Sequence, residues 1–334
     1  MKRTPPAAPP THASTHQVKT LGAVSLALLL ACLLPLGAFA QTGAGAEWEK
    51  LGQESARQYR MGNYANSLEA ARKMLELAER NVGTEHPDVA TSLTQLASIH
   101  VFLKQYELAE PLYRRALAIR EKAQGPEHPD SVTSVNDLAE FHVVRKQYAL
   151  AEALFMRALA TRQKLRGPEH PEVFVSLGNL AALYRDQGLH LRAEPLYQRR
   201  LAIREKTNGP EHRFVANSLN ELATVLRAQD KFTAAEALYQ RALAIFEIAQ
   251  IPDDPIVATC LANIAEIHRA QRRYAAAEPL YRRALAIREA AFGAGAAEVA
   301  DSLIQLGMLL RASSRIGEAE ELERRAARIL GGRR

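Results

Sequence analysis

Four copies of one short motif carry most of the chain's candidate chemistry. GTEHPD at 83–88, GPEHPD at 125–130, GPEHPE at 167–172 and GPEH at 209–212 each set a histidine beside a glutamate. Neutral imidazole binds zinc or moves protons near neutral pH, so His86, His128, His170 and His212 are candidate ligands or bases. Their spacing argues against both roles. Histidines one repeat apart fall on successive helical layers, about 10 Å apart, whereas zinc draws its ligands to about 2 Å. The neighbouring residues supply another reading. Each glycine falls where a helix must stop. Pro87, Pro129 and Pro171 stand where the next helix starts and a missing N–H is harmless. Asp88, Asp130 and Glu172 then complement that helix's positive end. In two later copies Asp254-Pro255 and Ala296-Ala297 take the His-Pro positions, so the fold does not require the histidine.

The remaining reactive groups read as packing. His100, His142 and His268 recur at one helix position, with Tyr184 as their counterpart, and suit partly buried, hydrogen-bonded side chains. Cys260 stands where Ser92, Ser134, Ser176 and Ser218 stand in other copies and reads as a small buried side chain. No phosphate-cradling glycine loop, nucleophile elbow or paired metal motif is present. The sequence therefore predicts no catalytic residue, no metal and no cofactor.

Bounds on the whole chain come from its two ends and its period. Residues 1–20 carry Lys2, Arg3 and Lys19 and no acid, and residues 21–40 carry no charge. The run closes on Ala38-Phe39-Ala40, the pattern of a secretory signal peptide cleaved after Ala40. Two alternatives fit the same residues: an uncleaved membrane anchor, and a lipoprotein acylated at Cys32 within Leu29-Leu30-Ala31-Cys32. Pro35 and Gly37 favour cleavage, which predicts a periplasmic or secreted bacterial protein whose only membrane link would be the leader. Removing the leader's three positive charges lowers the formal net charge from +6 to +3, too little to indicate nucleic acid. The single remaining cysteine allows no internal disulfide, so packing must hold the fold.

Self-similarity runs through everything after the leader. Leu96-Ala97, Leu138-Ala139, Leu180-Ala181, Leu222-Ala223, Ile264-Ala265 and Leu306-Gly307 follow one another at steps of 42 residues. Ala109, Ala151, Ala193, Ala235, Ala277 and Ala319 form a second column at the same step. A third column is Ala116, Ala158, Arg200, Ala242, Ala284 and Ala326, with Arg200 the exception, and aromatics fill a fourth from Tyr113 to Tyr281. Each copy reads as two amphipathic helices around a short break. Small residues mark close helix approach, and one hairpin cannot bury its apolar face without a neighbour. The expected organisation is a 41–46 linker and an array over 47–331. Its copies lie at roughly 47–88, 89–130, 131–172, 173–214, 215–256, 257–298 and 299–331.

The small–large–small pattern of Leu138, Ala139, Ala151, Phe155 and Ala158 resembles the tetratricopeptide repeat. The 42-residue period and the wording NLAALYRDQG…AEPLYQRRLAIREKTNGPEH are similar to its kinesin light chain subtype. The resemblance implies an all-α, right-handed α-solenoid of about seven helix-turn-helix units. Arg200, the IPDDP loop at 251–255, and Ile316 and Glu323 in the last copy depart from the pattern. A terminal copy with a more polar outer face is an expected cap.

The resemblance also implies that first helices line a groove for an extended peptide or partner helix. Five residues after the conserved leucine position stand Arg185, Arg227, Arg269 and Arg311, where earlier copies carry Val101 and Val143. Asn136, Asn179, Asn220 and Asn263 stand one or two residues before it, at positions that suit hydrogen bonding to a peptide backbone. The expected function is a non-catalytic protein-interaction module. Its apolar N-terminal half adjoins an arginine ladder that favours acidic partner segments. The alternative is a self-associating scaffold or assembly factor at the envelope. Glu266, one turn from Arg269, also allows the ladder to be a solvated, internally paired face.

Overall fold

The computed structural model describes residues 43–249 and 251–332; the leader, with Cys32 and the Ala40 site, lies outside them. Among the described residues there are fourteen α-helices and no strand. In order they are α1 (Ala46–Arg60), α2 (Tyr64–Val82), α3 (Pro87–Phe102), α4 (Tyr106–Gln124), α5 (Pro129–Val144), α6 (Tyr148–Arg166) and α7 (Pro171–Asp186). Then follow α8 (His190–Asn208), α9 (Arg213–Arg227), α10 (Phe232–Ile248), α11 (Pro255–Ala270), α12 (Tyr274–Phe292), α13 (Ala297–Ala312) and α14 (Ile316–Gly331). The chain is an all-α solenoid of helix hairpins. It divides into two compact units, one ending at Leu165 and the other beginning at Arg166.

Within the units, first helices of neighbouring hairpins touch: α1 meets α3, α3 meets α5, and α9 meets α11. They form the inner layer, which explains their composition. α3 buries every residue from Ser92 to Val101, whereas α4 buries one stripe that includes Ala109, Tyr113 and Ala116. The predicted small columns sit at the closest approaches: Ala97, Ala139, Ala181, Ala223 and Ala265 are fully buried. Tyr113, Tyr197, Tyr239 and Tyr281 fill the volume beside them. Each buried ring removes apolar surface worth about 2–3 kcal/mol.

The GPEHP motif is a helix stop and start, and the histidine takes part in it. Nδ1 of His86, His128, His170 and His212 accepts the backbone N–H two residues on, at 3.2 Å in all four. This satisfies one of the helix's open donors. Asp254 does the same with its carboxylate, Oδ1 accepting from Ile256 N at 2.9 Å, and Ala296 has no capping side chain. The preceding glycines do not adopt the αL geometry common at helix ends. Gly83, Gly125 and Gly209 combine φ of 80 to 91° with ψ of 153 to 166°, an extended positive-φ region essentially confined to glycine.

True αL residues occur inside the hairpins, one per copy. Gly62, Lys104, Lys146, Gly188, Asp230, Arg272 and Ser314 have φ between 57 and 79°. Around Lys104, Gln105 N donates to His100 O and Lys104 N donates to Val101 O. These are the two bonds of a Schellman motif.

Before α1 the chain is tied down. Ala44 N donates to Asp88 Oδ2 at 2.7 Å, and Asn81 Nδ2 donates to Ala44 O at 2.8 Å. Trp48 covers the open end of the first hairpin and donates from Nε1 to Ser92 Oγ at 2.8 Å.

Candidate partner-binding site

Arg185, Arg227, Arg269 and Arg311 stand near the C-terminal ends of α7, α9, α11 and α13, all in the C-terminal unit. Three of the four are matched by carboxylates of the same unit. Arg185 donates from Nε and Nη2 to Asp186 Oδ1 at 2.9 and 2.8 Å, and from Nη1 to the Tyr197 hydroxyl at 3.3 Å. Arg269 grips Glu266 in a two-pronged pair at 2.8 and 2.5 Å. Tyr281 also donates to Glu266, at 2.7 Å. Burial pushes the Glu266 carboxyl up, but the Arg269 and Tyr281 hydrogen bonds outweigh it and hold it below its ordinary value. Arg311 reaches Glu323 on α14 at 3.0 and 2.7 Å.

Arg227 differs. It lies beside the Tyr239 hydroxyl, which shares a hydrogen bond with Thr224 Oγ1 at 3.1 Å. Its Nε is buried with no acceptor. The carboxylate that feels it through space is Glu266, already bonded to Arg269 and Tyr281. The ladder thus holds one guanidinium without a carboxylate partner, between carboxylate-matched rungs.

The asparagines fall into three situations. Asn220 and Asn263 meet each other, Nδ2 of Asn263 lying 3.5 Å from Oδ1 of Asn220. Asn136 is buried in the N-terminal unit and donates Nδ2 to Val132 O at 2.9 Å, leaving Oδ1 without a donor. Asn179 is partly exposed on α7.

Two features were not expected from the residues. Arg200, the odd member of its alanine column, sends its guanidinium across Gly178, where a Cβ would come within 3.0 Å of Nε. It stacks on Phe174 at 4.0 Å and pairs with Glu221 of α9. Gly178 is the signal that could have found it, a missing side chain opposite an oversized one. The second feature lies on the outer helices. Arg115, Arg157, Arg241 and Arg325 pair with Glu79, Glu121, Glu205 and Glu289 of the preceding copy. These arginines are rungs between layers, each pair worth about 0–1 kcal/mol.

The histidines of the first helices are buried and partnered. Nδ1 of His100 and His142 meets Gln105 and Gln147 at 2.7 and 2.6 Å, and His268 meets Glu236 at 3.2 Å. Cys260 is fully buried, and burial pushes its thiol up to about 12. Its departure from serine has a partner. Arg120 and Arg288 donate to Ser134 and Ser302 at 2.7 and 2.6 Å. In one of the three copies between them Phe246 replaces the arginine and Cys260 the serine, so the polar pair is exchanged for an apolar one. Among the described residues no three His, Cys, Asp or Glu side chains are gathered as a metal site.

Comparison with known proteins agrees with the fold. The tetratricopeptide repeat profile matches residues 56–122, 130–206, 175–248, 214–290 and 257–330. The chain belongs to the tetratricopeptide repeat family. A crystal structure of nearly identical repeats from a putative kinesin light chain of Podosopora anserina is 26% identical to this tetratricopeptide array. It covers 60% of this chain and 95% of its own, with a TM-score of 0.54. The apo form of RapI matches over 86% of this chain and 100% of its own at 16% identity and a TM-score of 0.61. A Rap protein complexed with Competence and Sporulation Factor matches over 86% and 75% at 16% identity and a TM-score of 0.54. Both Rap likenesses concern the fold. No curated protein matches in sequence.

Proposed function

We propose that this tetratricopeptide array is a protein-interaction scaffold. The first helices of its C-terminal unit hold an extended partner segment through that segment's carboxylates. The observation that carries this reading is Arg227, a partly buried guanidinium with an unsatisfied Nε on the inner layer. A partner carboxylate there would gain a charge-assisted bond that no internal group supplies. Arg185, Arg269 and Arg311 take part by exchange, since a bidentate carboxylate on the segment can replace Asp186, Glu266 or Glu323. Asn179, Asn220 and Asn263 lie on the same helices and offer amides to the segment's backbone. The Rap protein solved with a bound factor is a precedent for such use of this architecture.

The basic, uncharged and small-residue sections of residues 1–40 support export to the periplasm with cleavage after Ala40. Sequencing the N-terminus of the protein recovered from the source cell tests this, and a start at Gln41 is expected.

Binding is tested by immobilising the full chain beside Arg227→Ala and a variant with all four ladder arginines changed to alanine. Each surface is exposed to extract of the source cell. Loss of the same partner from both variants, with circular dichroism unchanged, supports the reading. Equal capture by all three overturns it.

A further inference from the structure

A second charged position lies on the N-terminal unit, where the residues predict an apolar face. Asp137 and Glu140 stand one turn apart on α5, on the helix that also carries Val143. Asp137 is 8% exposed. Neither carboxylate has a hydrogen bond or ion pair among the described residues.

The repeat supplies the control. In the C-terminal unit Glu221 occupies the Asp137 column and Glu266 the Glu140 column. Glu221 is paired with Arg200, and Glu266 with Arg269 and Tyr281. Around Asp137 and Glu140 each donor is gone: Ala116 of the preceding copy stands where Arg200 would, Val143 replaces Arg269 and Phe155 replaces Tyr281. The one cation that reaches Asp137 does so through space. It is Arg120, whose guanidinium is committed to Ser134 Oγ at 2.7 Å and Thr91 Oγ1 at 3.2 Å. Burial accordingly pushes Asp137 up to about 6. Burial and the Asp137 charge push Glu140 up to about 8.

Two further atoms point the same way. Asn136, 6% exposed and four residues before Glu140, keeps a buried Oδ1 with no donor. Thr94, 5% exposed and one layer earlier in the Asn136 column, keeps a buried Oγ1 with no partner. Carboxylates and amide oxygens left without donors call for a group with several N–H bonds and a positive charge. A guanidinium presents five in one plane.

We propose that the first-helix face of the N-terminal unit binds an arginine side chain of a partner segment between Asp137 and Glu140. This site is separate from the ladder, and the two readings fail independently, because their variants lie in different units.

The probe is an end-blocked, fluorescein-labelled peptide of alanine and valine with one central arginine. It is compared with the same peptide carrying citrulline, which keeps the shape and loses the charge. Anisotropy titrations use the full chain, the Asp137→Asn/Glu140→Gln double variant, Val143→Arg and Arg227→Ala. The arginine peptide is expected to bind at least about tenfold more tightly than the citrulline peptide, the gain of one charge-assisted pair. The double variant should erase that preference. It removes charge at nearly constant shape, so the fold stands. Val143→Arg should erase the preference while keeping both acids, because it rebuilds the Arg269–Glu266 arrangement within the chain. Arg227→Ala should leave it unchanged. The proposal is overturned by equal binding of the two peptides, by no binding up to about millimolar concentration, or by a preference that survives the double variant. It is also overturned if calcium or magnesium alone stabilises the chain through these two acids, which would make the site a cation site.

Discussion

Arg200 shows how far one substitution propagates. An alanine column received a residue with a guanidinium, and three neighbours answer it: Gly178 leaves room, Phe174 gives it a ring, and Glu221 gives it a charge. Changing Gly178 to alanine should therefore destabilise the chain by about 1–3 kcal/mol, by forcing Arg200 off its ring or its carboxylate. Arg200→Ala alone should cost a similar amount, leaving Glu221 unpaired and a void above Gly178. The double change recreates the Ala262–Ala284 combination of a later copy and should cost clearly less than the sum. Urea unfolding of the four proteins checks this, and simple additivity would mean the two positions do not communicate. Such pairs bound what the sequence reveals. The columns exposed Arg200 and Cys260 as exceptions, but Gly178 and Phe246 explain them from other helices, and only the packing shows which columns face each other. The GPEHP histidines were legible as punctuation because other copies replace them. That the imidazole itself is the cap acceptor depends on a rotamer, which spacing does not fix.

At the scale of the helix, starts and stops follow composition closely. Helices α3, α5 and α7 begin at Pro87, Pro129 and Pro171, one period apart, because the same cap precedes each. Helix α10 ends at Ile248, without the terminal glycine of its counterparts, and the loop after it restarts the chain with Asp254 as cap. What the pattern concealed is the αL residue of each hairpin. Two copies use Gly62 and Gly188, but Lys104, Lys146, Asp230, Arg272 and Ser314 hold the same conformation with a side chain. A Cβ in αL costs about 1 kcal/mol relative to glycine. Lys104→Gly, Lys146→Gly and Arg272→Gly should therefore each raise stability by about 0.5–1 kcal/mol, with nearly additive gains in a triple variant because the sites lie in different hairpins. Thermal melts followed at 222 nm would show it. A loss of stability would mean that these side chains make contacts worth more than the strain.

For the whole chain, the decisive property is that interactions stay within one hairpin or reach only the adjacent copy. The outer Arg–Glu pairs reach back 36 residues, and the Lys122–Glu85 and Lys206–Glu169 pairs reach back 37. The period was readable from end to end because each hairpin must present the same columns to its neighbour. The division at Leu165 and Arg166 was not. No proline- or glycine-rich linker marks it, and GPEHPE follows as in any other copy. If order is carried from neighbour to neighbour, one complete period is removable. Deleting residues 257–298 joins Ile256 to Val299 in register: Ala258 is replaced by Ala300, Leu261 by Leu303 and Ile264 by Leu306, and Asp254 still caps the helix. Mean residue ellipticity should be unchanged and the melting temperature should fall by no more than about 10 °C. Deleting α12 alone, residues 274–292, removes fewer residues but leaves the stripe of α11 that packed against Ala277, Tyr281 and Ala284 open to water. That shorter deletion should lose helix content and aggregate. If it were the milder of the two, the hairpin would not be the unit from which this molecule is built.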